Sequence, residues 1–70
     1  MAETPQEALA SAVDTAGGFT ALGRKLGISG EAIMQWDRVP PRRVLEVEKA
    51  TGISRFLLRP DIYPPQEAAE

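Results

Sequence analysis

Seventy residues with a formal charge of -2 and neither cysteine nor histidine make one small domain. Disulfides, thiolate or imidazole metal ligands and Cys- or His-based catalysis are thereby excluded. No run approaches the roughly 18 apolar residues a membrane span needs. The start lacks the basic and apolar regions of a secretory leader. The charge is unevenly spread. All eight Lys and Arg lie between Arg24 and Arg59, where Glu31, Asp37, Glu46 and Glu48 face them with Asp61 just beyond, while residues 1–17 and the last five residues carry acids and no base. A basic centre between acidic ends suits one modest electrostatic footprint on a polyanion.

Taken in chain order, Thr4, Pro5 and Glu7 form a T-x-x-E capping box with proline at the first helical position. Leu9, Ala12, Val13 and Ala16 follow at helical spacing, and Gly17-Gly18 stops the run. A second helix is expected from Phe19 to Leu26, ended by Gly27. A third begins after Ser29 as N-cap and is expected to reach about Arg38. Pro40-Pro41 announces a fourth that continues to about Thr51, with Val44, Val47 and Ala50, and Leu45 alongside, as its apolar side. A short fifth helix after Ser54 carries Phe56, Leu57 and Leu58 and closes at Pro60. The stretch Arg59 to Pro65 is expected to be extended, because residues preceding prolines avoid the helical region. No alternating strand pattern competes. The expected fold is all-α, a compact bundle of about five short helices in a single domain over 4–65, with 1–3 and 66–70 as flexible ends.

The stretch 19–38 meets the demands of a helix-turn-helix unit, in which two short helices cross steeply through a tight turn. Gly27 supplies the left-handed turn residue and Gly23 the small residue at the point of closest approach. Leu22, Leu26, Ile28, Ile33 and Trp36 stand where apolar contacts must hold the pair. A glycine at 23 costs about 1 kcal/mol in a helix interior. An ordinary helical hairpin, the alternative, would not need these two glycines in this register.

The runs Thr20-Ala-Leu-Gly-Arg-Lys-Leu-Gly-Ile-Ser and Arg38-Val-Pro-Pro-Arg-Arg-Val-Leu-Glu-Val-Glu-Lys-Ala-Thr-Gly-Ile-Ser-Arg, with Trp36 between them and Leu58-Arg-Pro-Asp-Ile-Tyr-Pro at the close, resemble the YdaS/Cro-like family of prophage repressors and antitoxins. The likeness covers about residues 8–65. It implies a lambda-repressor-like, Cro-like helix-turn-helix fold, a cytoplasmic protein at the nucleoid, and either binding of operator DNA or service as an antitoxin.

A recognition helix presents its N-terminal residues to base edges in the major groove. Ser29, Gly30, Glu31, Met34, Gln35 and Arg38 are the candidates for base contact. Gln35 suits adenine, Glu31 accepts from cytosine N4, and Arg38 suits guanine or a phosphate. Relatives usually carry glutamine or another polar residue where Gly30 and Glu31 stand here. Thr20, Arg24, Lys25, Arg42 and Arg43 are the candidates for phosphate contact. Each has a plainer reading: Ser29 as a cap, Glu31 as a helix-dipole partner, Gln35 as surface, Met34 as core edge, Arg24 and Lys25 as a solvated face. Arg42 and Arg43 stand at a helix start, where positive charge opposes the dipole, so a role outside folding is favoured. Trp36 reads as core. Ile62 and Tyr63 are expected to seal the helices, or else to form a self-association surface with Leu57 and Leu58. Arg59 and Asp61 read as a local ion pair.

The favoured expectation is a sequence-specific repressor, a homodimer on double-stranded DNA. The alternatives are an antitoxin that also holds a toxin protein, or a helical protein-interaction module. The five residues after Pro65 are short for wrapping a toxin, which favours the repressor. No nucleophile–base pair, metal constellation or phosphate-binding loop is visible, so no enzyme, cofactor, metal or small-molecule substrate is expected.

Overall fold

The computed structural model describes residues 4–64, so the ends expected to be flexible lie outside the described residues. Five α-helices occur, α1 (Pro5–Ala16), α2 (Phe19–Leu26), α3 (Gly30–Met34), α4 (Val44–Thr51) and α5 (Arg55–Leu58), with a 3₁₀ turn at Pro41–Arg43 leading into α4. No strand is present among the described residues. The expected all-α bundle is what forms. No helix is long and apolar enough to cross a membrane.

The capping box of α1 closes as the sequence predicts. The Glu7 amide donates to Thr4 Oγ1 at 3.1 Å, and the Thr4 amide donates to Glu7 Oε1 at 3.0 Å. At the far end Gly17 takes φ 102°, and the Gly18 amide reaches the Val13 carbonyl at 2.8 Å. Ala8, Leu9, Ala12 and Val13 form the buried face of α1. Ala8 is an addition to the predicted stripe, four residues before Ala12 and fully buried with it. These two methyl side chains let α1 lie close across α2, α4 and α5. Leu22, Ile33, Val39, Val44, Val47 and Leu58 complete the core, each fully buried. Burial of a side chain of this size stabilises by about 1.5–3 kcal/mol.

Four expectations need correction. The third helix ends at Met34, not near Arg38. Its last bonds tighten to three-residue steps, Gln35 amide to Ala32 carbonyl and Trp36 amide to Ile33 carbonyl. The chain then leaves the helix to bury Val39, which the following Pro40 pushes toward extended backbone. Leu45 is 50% exposed and belongs to the outer face of α4, while Ala50 packs partly buried against the core. Arg59 to Pro65 is not extended throughout: the Arg59 carbonyl accepts from the amides of Ile62 and Tyr63, closing a turn. Proline restricts only the residue before it, and Arg59 leaves the helical region (φ -144°, ψ 74°), but Pro60 itself favours the second position of a turn. Trp36 and Tyr63 pack against the core as expected, whereas Ile62 stands 42% exposed.

Candidate nucleic-acid interface

The α2–α3 corner is built by three glycines. Gly27 ends α2 in the left-handed region, φ 79°. The Ile28 amide then donates to the Gly23 carbonyl at 2.9 Å, folding the turn back on α2. A Cβ on Gly23 would stand 2.5 Å from the Ile28 carbonyl oxygen. A Cβ on Gly30 would stand 3.0 Å from the backbone of Phe19 and Thr20. Bare backbone at 23 and 30 therefore sets how closely α3 lies on α2. Gly30 is pressed on the N-terminus of α2.

Ser29 caps α3, its hydroxyl oxygen accepting from the Ala32 amide at 3.1 Å, which leaves the hydroxyl proton free to donate. With Ile33 buried, the helical advance of roughly 100° per residue turns Glu31, Ala32 and Gln35 outward together. All three are exposed. Ala32 was not among the sequence candidates. It flanks the stripe of Glu31 and Gln35, roughly 60° from Gln35 on the helical wheel, and its methyl group suits apolar contact with a thymine methyl. Met34 is 61% exposed and borders a groove lined also by Phe19, Trp36 and the α1 residues Leu9 and Val13. Arg38 lies beyond α3, exposed, in the connection to α4.

The phosphate candidates divide into two groups. Thr20 and Arg24 are roughly 40° apart on the α2 wheel, on the flank beside Gly23 and α3. Lys25 is roughly 140° from Thr20 and faces the other way. It lines a groove with Leu26, Arg43, Glu46, Lys49 and Ala50, between α2 and α4. Arg43 is committed there: it donates to Glu46 Oε1 at 2.8 Å and to the Leu26 carbonyl, at the C-terminus of α2, at 3.5 Å. Arg42, its neighbour, is exposed and makes no ion pair among the described residues. The structure thus sets Thr20 against α3 at Gly30, leaves Arg24 exposed roughly 40° from it on α2, and places Lys25 and Arg43 on the groove toward α4.

Arg59 and Asp61 do form the expected ion pair, and it is deeper than a surface bridge. Arg59 is 7% exposed, and its Nε and Nη2 both bond the Asp61 carboxylate, at 2.9 and 2.7 Å. These bonds pull the Asp61 carboxyl down to about 2 against the opposing effect of burial, with the charges of Arg59 and Arg38 assisting.

A family model described as bacterial toxin YdaS matches residues 9–67. That is most of the chain, and the protein belongs to the YdaS family. No curated protein and no solved structure shows a significant match.

Proposed function

We propose that this YdaS-family chain binds double-stranded DNA by laying α3 in the major groove, and that it acts in the cytoplasm as a Cro-type repressor, paired as a homodimer on a palindromic operator. The observation that carries the reading is the glycine-built corner. It leaves Glu31, Ala32 and Gln35 outward on a helix whose other side is anchored by Ile33. Gln35 then reads adenine, Glu31 accepts from cytosine, and Ala32 meets a methyl group. Ser29, Thr20 and Arg24 on one side, with Arg38 and Arg42 beyond the other end of α3, supply phosphate contacts that fix register. A recognition stripe holding a carboxylate and no base gives little non-specific attraction, so two subunits on one site are needed for useful affinity.

The test is a mobility shift on the DNA upstream of the chain's own gene. A shift at low salt that persists against excess competitor DNA supports the reading, and no shift at any salt overturns it. The family description favours a second reading, membership of a toxin–antitoxin pair. Expression of the chain alone separates the two. Growth arrest that survives Gln35→Ala points to the toxin, whereas a tolerated chain that silences a reporter behind its operator is a repressor.

A further inference from the structure

Arg59 is the one charged side chain in the core of the described residues, and its position is costly. Taking a guanidinium out of water is repaid only by well-aligned partners, and an apolar residue could seal the same space. Its third nitrogen shows what the arginine adds. While Nε and Nη2 hold Asp61 as a fork, Nη1 donates to the Val39 carbonyl at 2.9 Å, twenty residues earlier in the chain.

Val39 lies in the connection that leaves α3. The Trp36 amide makes the last backbone bond of the α3 exit, and the Arg43 amide, donating to Pro40, makes the next. Between them Arg59 bonds the Val39 carbonyl, beside the buried Val39 side chain and the Asp37 carboxylate, which accepts from Gln6 on α1 at 3.2 Å. Arg38 is the exposed cation on that span. Its charge is felt at Asp61, whose two oxygens accept from Arg59. Arg38 itself is exposed and forms no ion pair among the described residues, so its guanidinium is open to an anion from outside.

We infer that Arg59 is a positioning residue for DNA binding: by clasping Asp61 and the Val39 carbonyl it fixes the course of the connection after α3 and so aims Arg38 at a phosphate. The inference rests on the DNA-binding reading above. Lysine at 59 keeps the charge but cannot hold both partners in one planar fork.

The experiment measures binding of the full chain to operator DNA by fluorescence anisotropy across a salt series. Wild type, Arg38→Ala, Arg59→Lys and the double variant are compared. Each variant's fold is checked by far-ultraviolet circular dichroism at the assay temperature. If Arg59→Lys does not fold, Asp61→Asn, which loosens the same fork, takes its place. Losing one phosphate contact lowers the slope of log affinity against log salt by about 0.9. That drop is expected for Arg38→Ala, the same for Arg59→Lys, and no further drop for the double variant, because the two residues act through one contact. A folded Arg59→Lys with the wild-type slope overturns the inference, as do slope losses that add in the double variant. Failure of wild type to bind at low salt instead overturns the DNA reading, and the inference falls with it.

Discussion

Gly23 and Ile28 approach so closely that the smallest side chain does not fit between them: a Cβ on Gly23 would lie 2.5 Å from the Ile28 carbonyl oxygen. Judged on helix propensity alone, Gly23→Ala should stabilise α2 by about 1 kcal/mol. The obstacle is backbone, not a movable side chain, and overpacking of this kind costs about 1–3 kcal/mol. Gly23→Ala is therefore expected to be neutral to destabilising by up to about 2 kcal/mol. It should also open the α2–α3 corner and weaken DNA binding. Urea denaturation with a paired binding assay checks both, and a variant more stable than wild type with unchanged affinity would show the corner to be looser than described.

Gln35 and Met34 are neighbours with different surroundings. Gln35 stands on the outward stripe with Glu31 and Ala32, while Met34 borders the groove with Phe19 and Trp36. Gln35→Ala is expected to lose about 1–3 kcal/mol of discrimination between the operator and a site changed at one adenine. Met34→Ala is expected to leave that discrimination intact and to lower stability modestly. Competition titrations on matched and mismatched duplexes measure the difference. Equal loss of discrimination in the two variants would mean that both side chains reach the bases.

The bundle was legible because its punctuation is local. Thr4 and Glu7, Gly17, Gly27, Ser29, Gly52 and Ser54 each act within a few residues, and the structure uses each as a cap. What escaped depends on distant partners. The early end of α3 follows from burying Val39, and the spacing within 29–38 carries no trace of that demand. Arg59 reads as one half of a local pair, and only the folded chain brings the Val39 carbonyl to it. The separation of Lys25 from Arg24 was available from the helical wheel, but which flank faces α4 required the tertiary packing. Arg43 likewise is tied by the fold, which brings the Leu26 carbonyl to it beside Glu46.

Arg42 and Arg43, adjacent in sequence, should therefore separate in a salt series. Arg42 is exposed and unpaired among the described residues, so Arg42→Ala is expected to weaken binding to all sequences and lower the salt slope by about 0.9. Arg43→Ala is expected to leave the slope unchanged. It should instead cost stability, through a partly exposed ion pair worth about 0.2–1 kcal/mol and the lost contact at the end of α2. Anisotropy titrations between low and moderate salt decide the matter, and a slope lowered by Arg43→Ala would place that side chain on the DNA.

Asp61 gives the fold an acid limit whose sign follows from its pKa. The Arg59 hydrogen bonds hold the folded carboxyl at about 2, below its ordinary value of 3.8. A depressed folded pKa means that the unfolded chain binds the proton more readily. The stabilisation is therefore complete above about pH 4 and drains away as the pH falls toward 2. Asp61→Asn removes the titrating group, so the stability gap between wild type and this variant should be constant near neutrality and shrink through that window. Thermal melts of both proteins from pH 7 to pH 2 measure it, and the subtraction cancels the carboxylates they share, such as Glu7 in the α1 cap. A gap that stays constant down to pH 2 would mean that the fork to Arg59 does not form in solution, and the hold on Val39 would go with it.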